Sequence, residues 1–211
     1  MSNDLETPMA ALFAHIVGAV TVAFTANIVA GDVVLRNVSN FTGLFAGLPV
    51  FCDGIERGTA IAALSPGAAT VTLSLPPATA GTAATVTTGF LTTGRRVPHW
   101  NQVSDQPAFF LRRTGVTVQN DDNFMPIITI ECEAWIYCNA GQDPTVAPDQ
   151  VLTPLERMIR DSFVPDASYG DERFTLGGLV HWCRFEGRAD ISPGDQGPQA
   201  IARLPIRITL P

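Results

Sequence analysis

Hydrophobic residues begin the chain at helical spacing, lose it between residues 20 and 89, and return as alternating strands around a second helical stripe. Near the N-terminus, Met9, Leu12, Phe13, Ile16 and Val17 fall on one helical face. Thr7-Pro8 just before them supplies an expected N-cap and first-turn proline. A second helix is expected over residues 149–163, where Leu155, Met158, Ile159 and Phe163 form the apolar stripe. Glu156, Arg157, Arg160 and Asp161 stay on its wet side, and Pro165 ends it.

Strict alternation marks three strands in the second half. Over residues 128–138 the apolar positions are Ile128, Ile130, Cys132, Ala134, Ile136 and Cys138, opposed by Thr129, Glu131, Glu133, Trp135 and Tyr137. The closing strand sets Ala202, Leu204, Ile206, Ile208 and Leu210 against Arg203, Arg207 and Thr209. Residues 179–186 set Leu179, Cys183 and Phe185 against Trp182, Arg184 and Glu186. Period two with a single apolar face describes a sheet covered on one side, and the two helices are the expected cover. The other face then carries Glu131, Glu133, Trp135, Tyr137, Trp182, Arg184, Arg203 and Arg207. Aromatic residues among arginines are typical of contact surfaces, which makes these eight the candidate interface positions. Cross-strand Glu–Arg pairing on a solvated face accounts for the charges equally well, but not for the tryptophans.

Between residues 20 and 92 only Asp32, Arg36, Asp53, Glu56 and Arg57 are charged, and Thr, Val, Ala and Gly predominate. Short β-type runs are expected at residues 20–28, 32–37, 49–52, 59–64, 70–75 and 84–88. Turn signals such as Asp53-Gly54, Ser65-Pro66-Gly67 and Pro76-Pro77 separate them. Such spacing suggests a small sandwich or barrel. The expected organisation is therefore α+β: a sheet of about four strands covered on one face by two helices. Residues 1–19 and 90–211 would form this discontinuous domain, and residues 20–89 an inserted all-β module.

Charge narrows the function classes. The net charge of −7 argues against nucleic acid as a specific ligand, because phosphate binding needs concentrated positive charge. All 13 basic residues are arginine, which suits planar paired contacts but equally reflects a GC-rich genome. The first apolar stretch contains His15 and lacks a basic leader, so no secretion signal is expected, and no apolar run approaches the length that crosses a bilayer. Cys52, Cys132, Cys138 and Cys183 are expected as reduced thiols packing as small hydrophobes in a protein made in the cytoplasm. The sequons at Asn37 and Asn40 are then chance matches.

No catalytic signature emerges. Cys132 and Cys138 share one strand face about 20 Å apart, too far to pair or to share a metal. His181 and Cys183 are expected to face inward, the histidine packed rather than ligating. Asp121-Asp122-Asn123 lacks the glycine and glutamate of a calcium loop, and Gly177-Gly178 and residues 194–197 lack the Lys-Ser/Thr of a phosphate loop. A Cys183–His99 or Cys132–His181 pair stays open but has no local signature. No enzyme, cofactor or metal is expected.

With residues 20–89 set aside, Met9-Ala10-Ala11-Leu12-Phe13 runs into Phe90-Leu91-Thr92-Thr93-Gly94-Arg95-Arg96-Val97-Pro98-His99-Trp100. Then come Gln106-Pro107-Ala108-Phe109-Phe110, the strand at 128–137, Leu152-Thr153-Pro154-Leu155 at a helix start, Thr175-Leu176-Gly177-Gly178-Leu179-Val180-His181, and the closing residues 199–211. This order resembles the tail terminator proteins of long-tailed, lambda-like bacteriophages and prophages. The insert is similar to Ig-like or adhesin-like modules of phage structural proteins through Asn37-Val38-Ser39-Asn40-Phe41-Thr42-Gly43-Leu44 and Gly54-Ile55-Glu56-Arg57-Gly58-Thr59. The resemblance implies a virion protein at the head-proximal end of the tail. It would form a ring, usually hexameric, that caps the tail tube, stops its polymerisation and docks the head connector. DNA would pass through the lumen without specific binding, which suits an acidic chain. Glu131 and Glu133 are the expected lumen or subunit-contact positions. Another tail or head–tail joining part, or a surface- or carbohydrate-binding module carried by the insert, is the alternative.

Overall fold

The computed structural model of the chain describes residues 4–120, 126–139, 149–167, 173–192 and 199–210. Two α-helices, α1 (Glu6–Val20) and α2 (Asp149–Asp161), are found among them. Apart from two short 3-10 turns at Pro66–Ala68 and Trp100–Gln102, the rest of the regular structure is β, in two six-stranded sheets.

The first sheet holds the low-charge region. Its strands are β1 (Ala23–Ile28), β2 (Val34–Arg36), β3 (Val50–Phe51), β4 (Ile61–Ser65), β5 (Thr70–Leu73) and β6 (Gly81–Thr88), each within or overlapping an expected run. They lie in the order β3-β6-β1-β2-β5-β4, and a bridge between Pro49 and Ala60 joins the two outer strands. The Val50 amide donates to the Thr59 carbonyl at 3.0 Å and the Ile61 amide to the Leu48 carbonyl at 3.0 Å across that seam. The sheet therefore closes on itself as a small barrel, which removes its edges. Phe24, Leu35, Val50, Ile61, Val71 and Val86 are buried in it.

The second sheet comprises β7 (Thr92–Gly94), β8 (Ala108–Gln119), β9 (Ile127–Asn139), β10 (Trp182–Phe185), β11 (Asp190–Ser192) and β12 (Gln199–Thr209). The order is β10-β12-β9-β8-β7, with β11 also on β12, and every pair except β7–β8 is antiparallel. The alternation read in the sequence is the alternation of burial. Ile128, Ile130, Cys132, Ala134, Ile136 and Cys138 are all buried, as are Ala202, Leu204, Ile206 and Ile208. Met9, Leu12 and Ile16 of α1 and Leu152, Leu155 and Ile159 of α2 complete the same core.

The expected fold class is corrected by these sheets. The molecule is predominantly β, not an α+β domain with a four-stranded sheet under two helices. Strand β8 accounts for much of the difference. Ala108, Phe109, Phe110 and Leu111 are all buried, so the strand opens as a continuous apolar run with no period to read. Strands β7 and β11 are three residues each, too short to show a period. The regions on either side of the expected boundaries also share one apolar cluster, from Met9 through the barrel residues to Ile208. Gly47 shows how close they come: it has φ +90°, and a Cβ there would collide with the side chain of Val151 on α2.

Helix ends differ in detail. Asp4 caps α1, its carboxylate accepting from the Glu6 amide at 2.9 Å and from the Thr7 hydroxyl, so Thr7 lies inside the helix it was expected to cap. These bonds to the charged form hold the Asp4 carboxyl below its usual range. Helix α2 starts at residue 149 as expected, runs through Pro154 and ends at Asp161, two residues before the expected limit.

Candidate interaction face of the second sheet

Register brings all eight candidate residues onto the face of the second sheet turned away from the helices. The first row across the strands reads Ala108, Tyr137, Ile201 and Ser192, and the next Phe110, Trp135, Arg203 and Asp190; two more read Arg112, Glu133 and Pro205, then Gly115, Glu131, Arg207 and Arg184; the last reads Thr117, Thr129, Thr209 and Trp182.

Four carboxylates and four guanidiniums meet there. Glu133 sits at the centre, its side chain 17% exposed. It accepts from Arg112 at 2.8 Å, from Arg203 at 3.4 Å and from the Trp135 indole nitrogen at 3.1 Å. Arg203 also binds Asp190, and that hydrogen bond raises the guanidinium pKa further. Glu131 is 3.5 Å from Arg207, which also pairs with Glu186. Glu186 in turn accepts from Arg184 Nε at 2.7 Å. Trp135 lies between Arg112 and Arg203, with guanidinium carbons 5.6 and 5.8 Å from its ring, and Arg184 stacks 4.0 Å over Trp182. The cross-strand pairing weighed as one reading of the charges is thus present, and the aromatics are woven into it.

Only part of this face is open. A second, smaller apolar cluster of Val103, Ala108, Phe110 and Tyr137, flanked by Val97, Trp135 and Ile201, lies under residues 95–107. Tyr137 is 3% exposed and donates to the Pro98 carbonyl at 3.1 Å. Burial raises its phenol pKa, opposed by the Arg112 charge. Tyr137 is therefore a core residue, and its expected place on a contact surface is corrected. Its alternation put it on the right face; the loop that covers that end leaves no periodic trace. At the other end Thr117, Thr129, Glu131, Arg184, Arg207 and Thr209 border a depression of about 210 Å³. Arg112, Glu186 and Asp190 complete the charge network but were not among the candidates. Glu186 was legible as the third member of the Trp182–Arg184 alternation, whereas Arg112 and Asp190 lie on strands without a readable period.

Other expectations change as well. Leu179 is 38% exposed rather than inward, and His181 is exposed beside Arg173 rather than packed. Burial lifts the Cys132 and Cys138 thiols to about 12 and raises Cys183 strongly, so all three stay protonated and serve as packing. His99 is bound to Asn101 at 2.7 Å. Among the described residues no group of three His, Cys, Asp or Glu side chains could hold a metal ion. Asp121-Asp122-Asn123 and residues 194–197 lie outside the described residues. Among the described residues no helix is long and apolar enough to cross a membrane. Comparison with protein-family models and with curated proteins finds no match to this sequence.

Proposed function

We propose that this chain is a structural subunit of a bacteriophage tail that assembles into a ring, caps the tail tube and receives the head connector. The observation that carries the reading is the outer face of the second sheet. Its four carboxylates, Glu131, Glu133, Glu186 and Asp190, are each paired with at least one of Arg112, Arg184, Arg203 and Arg207. A partner can cover such a face without stranding an unpaired charge, which is the main penalty of burying ions at an interface. Trp182, only half-buried, adds the aromatic anchor that contact surfaces favour. The resemblance in residue order to tail terminators supplies the identity of the partners: further copies of the chain, a tail tube protein and a connector. A net charge of −7 suits a lumen through which DNA slides without sticking. In this reading the ring belongs to the virion, needs no cofactor and performs no chemistry.

The test is genetic. In the phage or prophage that carries the chain, removing it should yield overlong tails that fail to join heads. Tails of normal length lacking heads would instead assign the chain to head joining alone, and unchanged virions would overturn the proposal.

A further inference from the structure

Most strand edges of the molecule are closed. The barrel is sealed by the Pro49–Ala60 bridge, and the outer side of β10 is held where the Cys183 amide donates to the Phe174 carbonyl at 2.8 Å. Two stretches differ. Strand β7 pairs with β8 only at residues 108–110, so residues 111–119 of β8 have no further strand beside them among the described residues. On the far side of the sheet β11 pairs with β12 and with no other strand among the described residues.

Past the register shift between Arg113 and Gly115, the β8 edge carries neither charge nor proline to keep sheets from joining. Residues 114–119, Thr-Gly-Val-Thr-Val-Gln, contain no proline and no charge, and Val118 and Val116 are 54% and 40% exposed. These valines stand opposite Ile128 and Ile130, so they point to the helix side of the sheet. On β11, Ile191 stands opposite Ala202, also on the helix side, and is 47% exposed. Each end of the sheet thus offers exposed apolar surface on the same face.

Strand direction also fits. β8 is antiparallel to β9, β9 to β12 and β12 to β11, so β8 and β11 run in opposite directions. A second copy laid beside the first in the same orientation brings its β8 antiparallel to β11, continuing the sheet without reversal. We infer that the open β8 edge docks a second copy of this chain through that copy's β11 edge, so that one sheet continues from subunit to subunit. Because the two edges lie on opposite sides of a protomer, the contact is heterologous and repeats head to tail, closing into a ring when the rotation permits. The inference rests on the ring reading above and specifies its contact.

The full-length chain and the variants Val116→Lys with Val118→Lys, and Ile191→Lys, would be compared by light scattering and native mass spectrometry. Their folding would be checked by circular dichroism. The expected result is a cyclic oligomer for the unaltered chain and its loss to monomers in both variants with the spectrum kept. A ring that persists in folded variants overturns the edge contact and leaves the ring reading standing. Dimers that the valine variant abolishes but Ile191→Lys does not would show β8–β8 pairing and overturn the head-to-tail contact. A chain that is monomeric throughout overturns both. Should a variant misfold, hydrogen exchange on the unaltered chain decides. The amides of residues 114–119 should be protected in the oligomer and exchange quickly on dilution to monomers; equal exchange in both states overturns the contact.

Discussion

The indole nitrogen of Trp135 donates to Glu133 at 3.1 Å, two residues away on the same strand and same face, and this bond ties the aromatic side chain into the charge network. Glu133 also holds Arg112 and Arg203, so its loss leaves the Arg112 guanidinium and the indole donor without this acceptor and Arg203 with Asp190 alone. Glu133→Ala is expected to cost about 1–3 kcal/mol of stability, the range for hydrogen-bonded charges that are largely buried. Glu131→Ala, at a site 47% exposed with one 3.5 Å pair, should cost under about 1 kcal/mol. Urea denaturation of the two variants checks the ranking, and equal losses would show that the network has no centre.

His15 links the helices, its Nε2 lying 3.1 Å from both the carbonyl and the hydroxyl oxygen of Ser162 just past the end of α2, with Phe163 and Phe174 against the ring. Desolvation lowers its pKa below the ordinary 6.5, and the Ser162 bond and the Asp166 charge only partly offset this. The folded protein therefore binds this proton less readily than the unfolded chain does. Its contribution to stability is full above about pH 6.5 and declines as pH falls through the unfolded and then the lowered folded pKa. Stability measured from pH 8 to 5 should fall more in the unaltered protein than in His15→Gln; identical slopes would contradict this.

The barrel and α2 meet at Gly47. Its φ of +90° already disfavours a side chain, and an added Cβ would strike Val151. Gly47→Ala should lower stability by about 1–3 kcal/mol, of which Val151→Ala restores only the steric part. The shared apolar cluster carries the same argument further. Deleting residues 20–89 removes part of the core around Val151, Met158 and Phe90, so the remainder should lose its near-ultraviolet dichroism. A deleted chain that folds and assembles would show instead that the barrel is an independent insert.

The four cysteines offer a chemical check. Cys132, Cys138 and Cys183 are buried with raised thiol pKa values, and Cys52 is partly exposed with a smaller upward displacement. A thiol reagent at pH 8 should label Cys52 alone in the folded protein and all four in denaturant. Early labelling of Cys132 would mean that the face between the sheet and helices opens readily.

What the sequence disclosed follows from which elements bury one face and which bury two. Strands β9 and β12 are covered on one side over most of their length, so alternation located them and, with the short alternation of β10, placed all eight candidate residues on one face. The barrel strands were legible because turn residues punctuate them. Strand β8 hid because Phe109 and Leu111 pack inward while Ala108 and Phe110 lie under residues 95–107. Missing it meant missing Arg112, the open edge at Val116 and Val118, and the true extent of the sheet. Tyr137 shows the complementary limit: period two assigns a face but cannot say whether a distant loop covers it. Closure of the barrel at Pro49–Ala60 joins strands adjacent in sequence but at opposite ends of the sheet order, which local patterns do not reveal.

Native mass spectrometry of the purified protein tests the proposed closed ring most directly. A single dominant cyclic species, expected to be hexameric and seen as rings in negative stain, is the predicted result. A monomer that persists to high micromolar concentration, or open-ended filaments of undefined length, would contradict it.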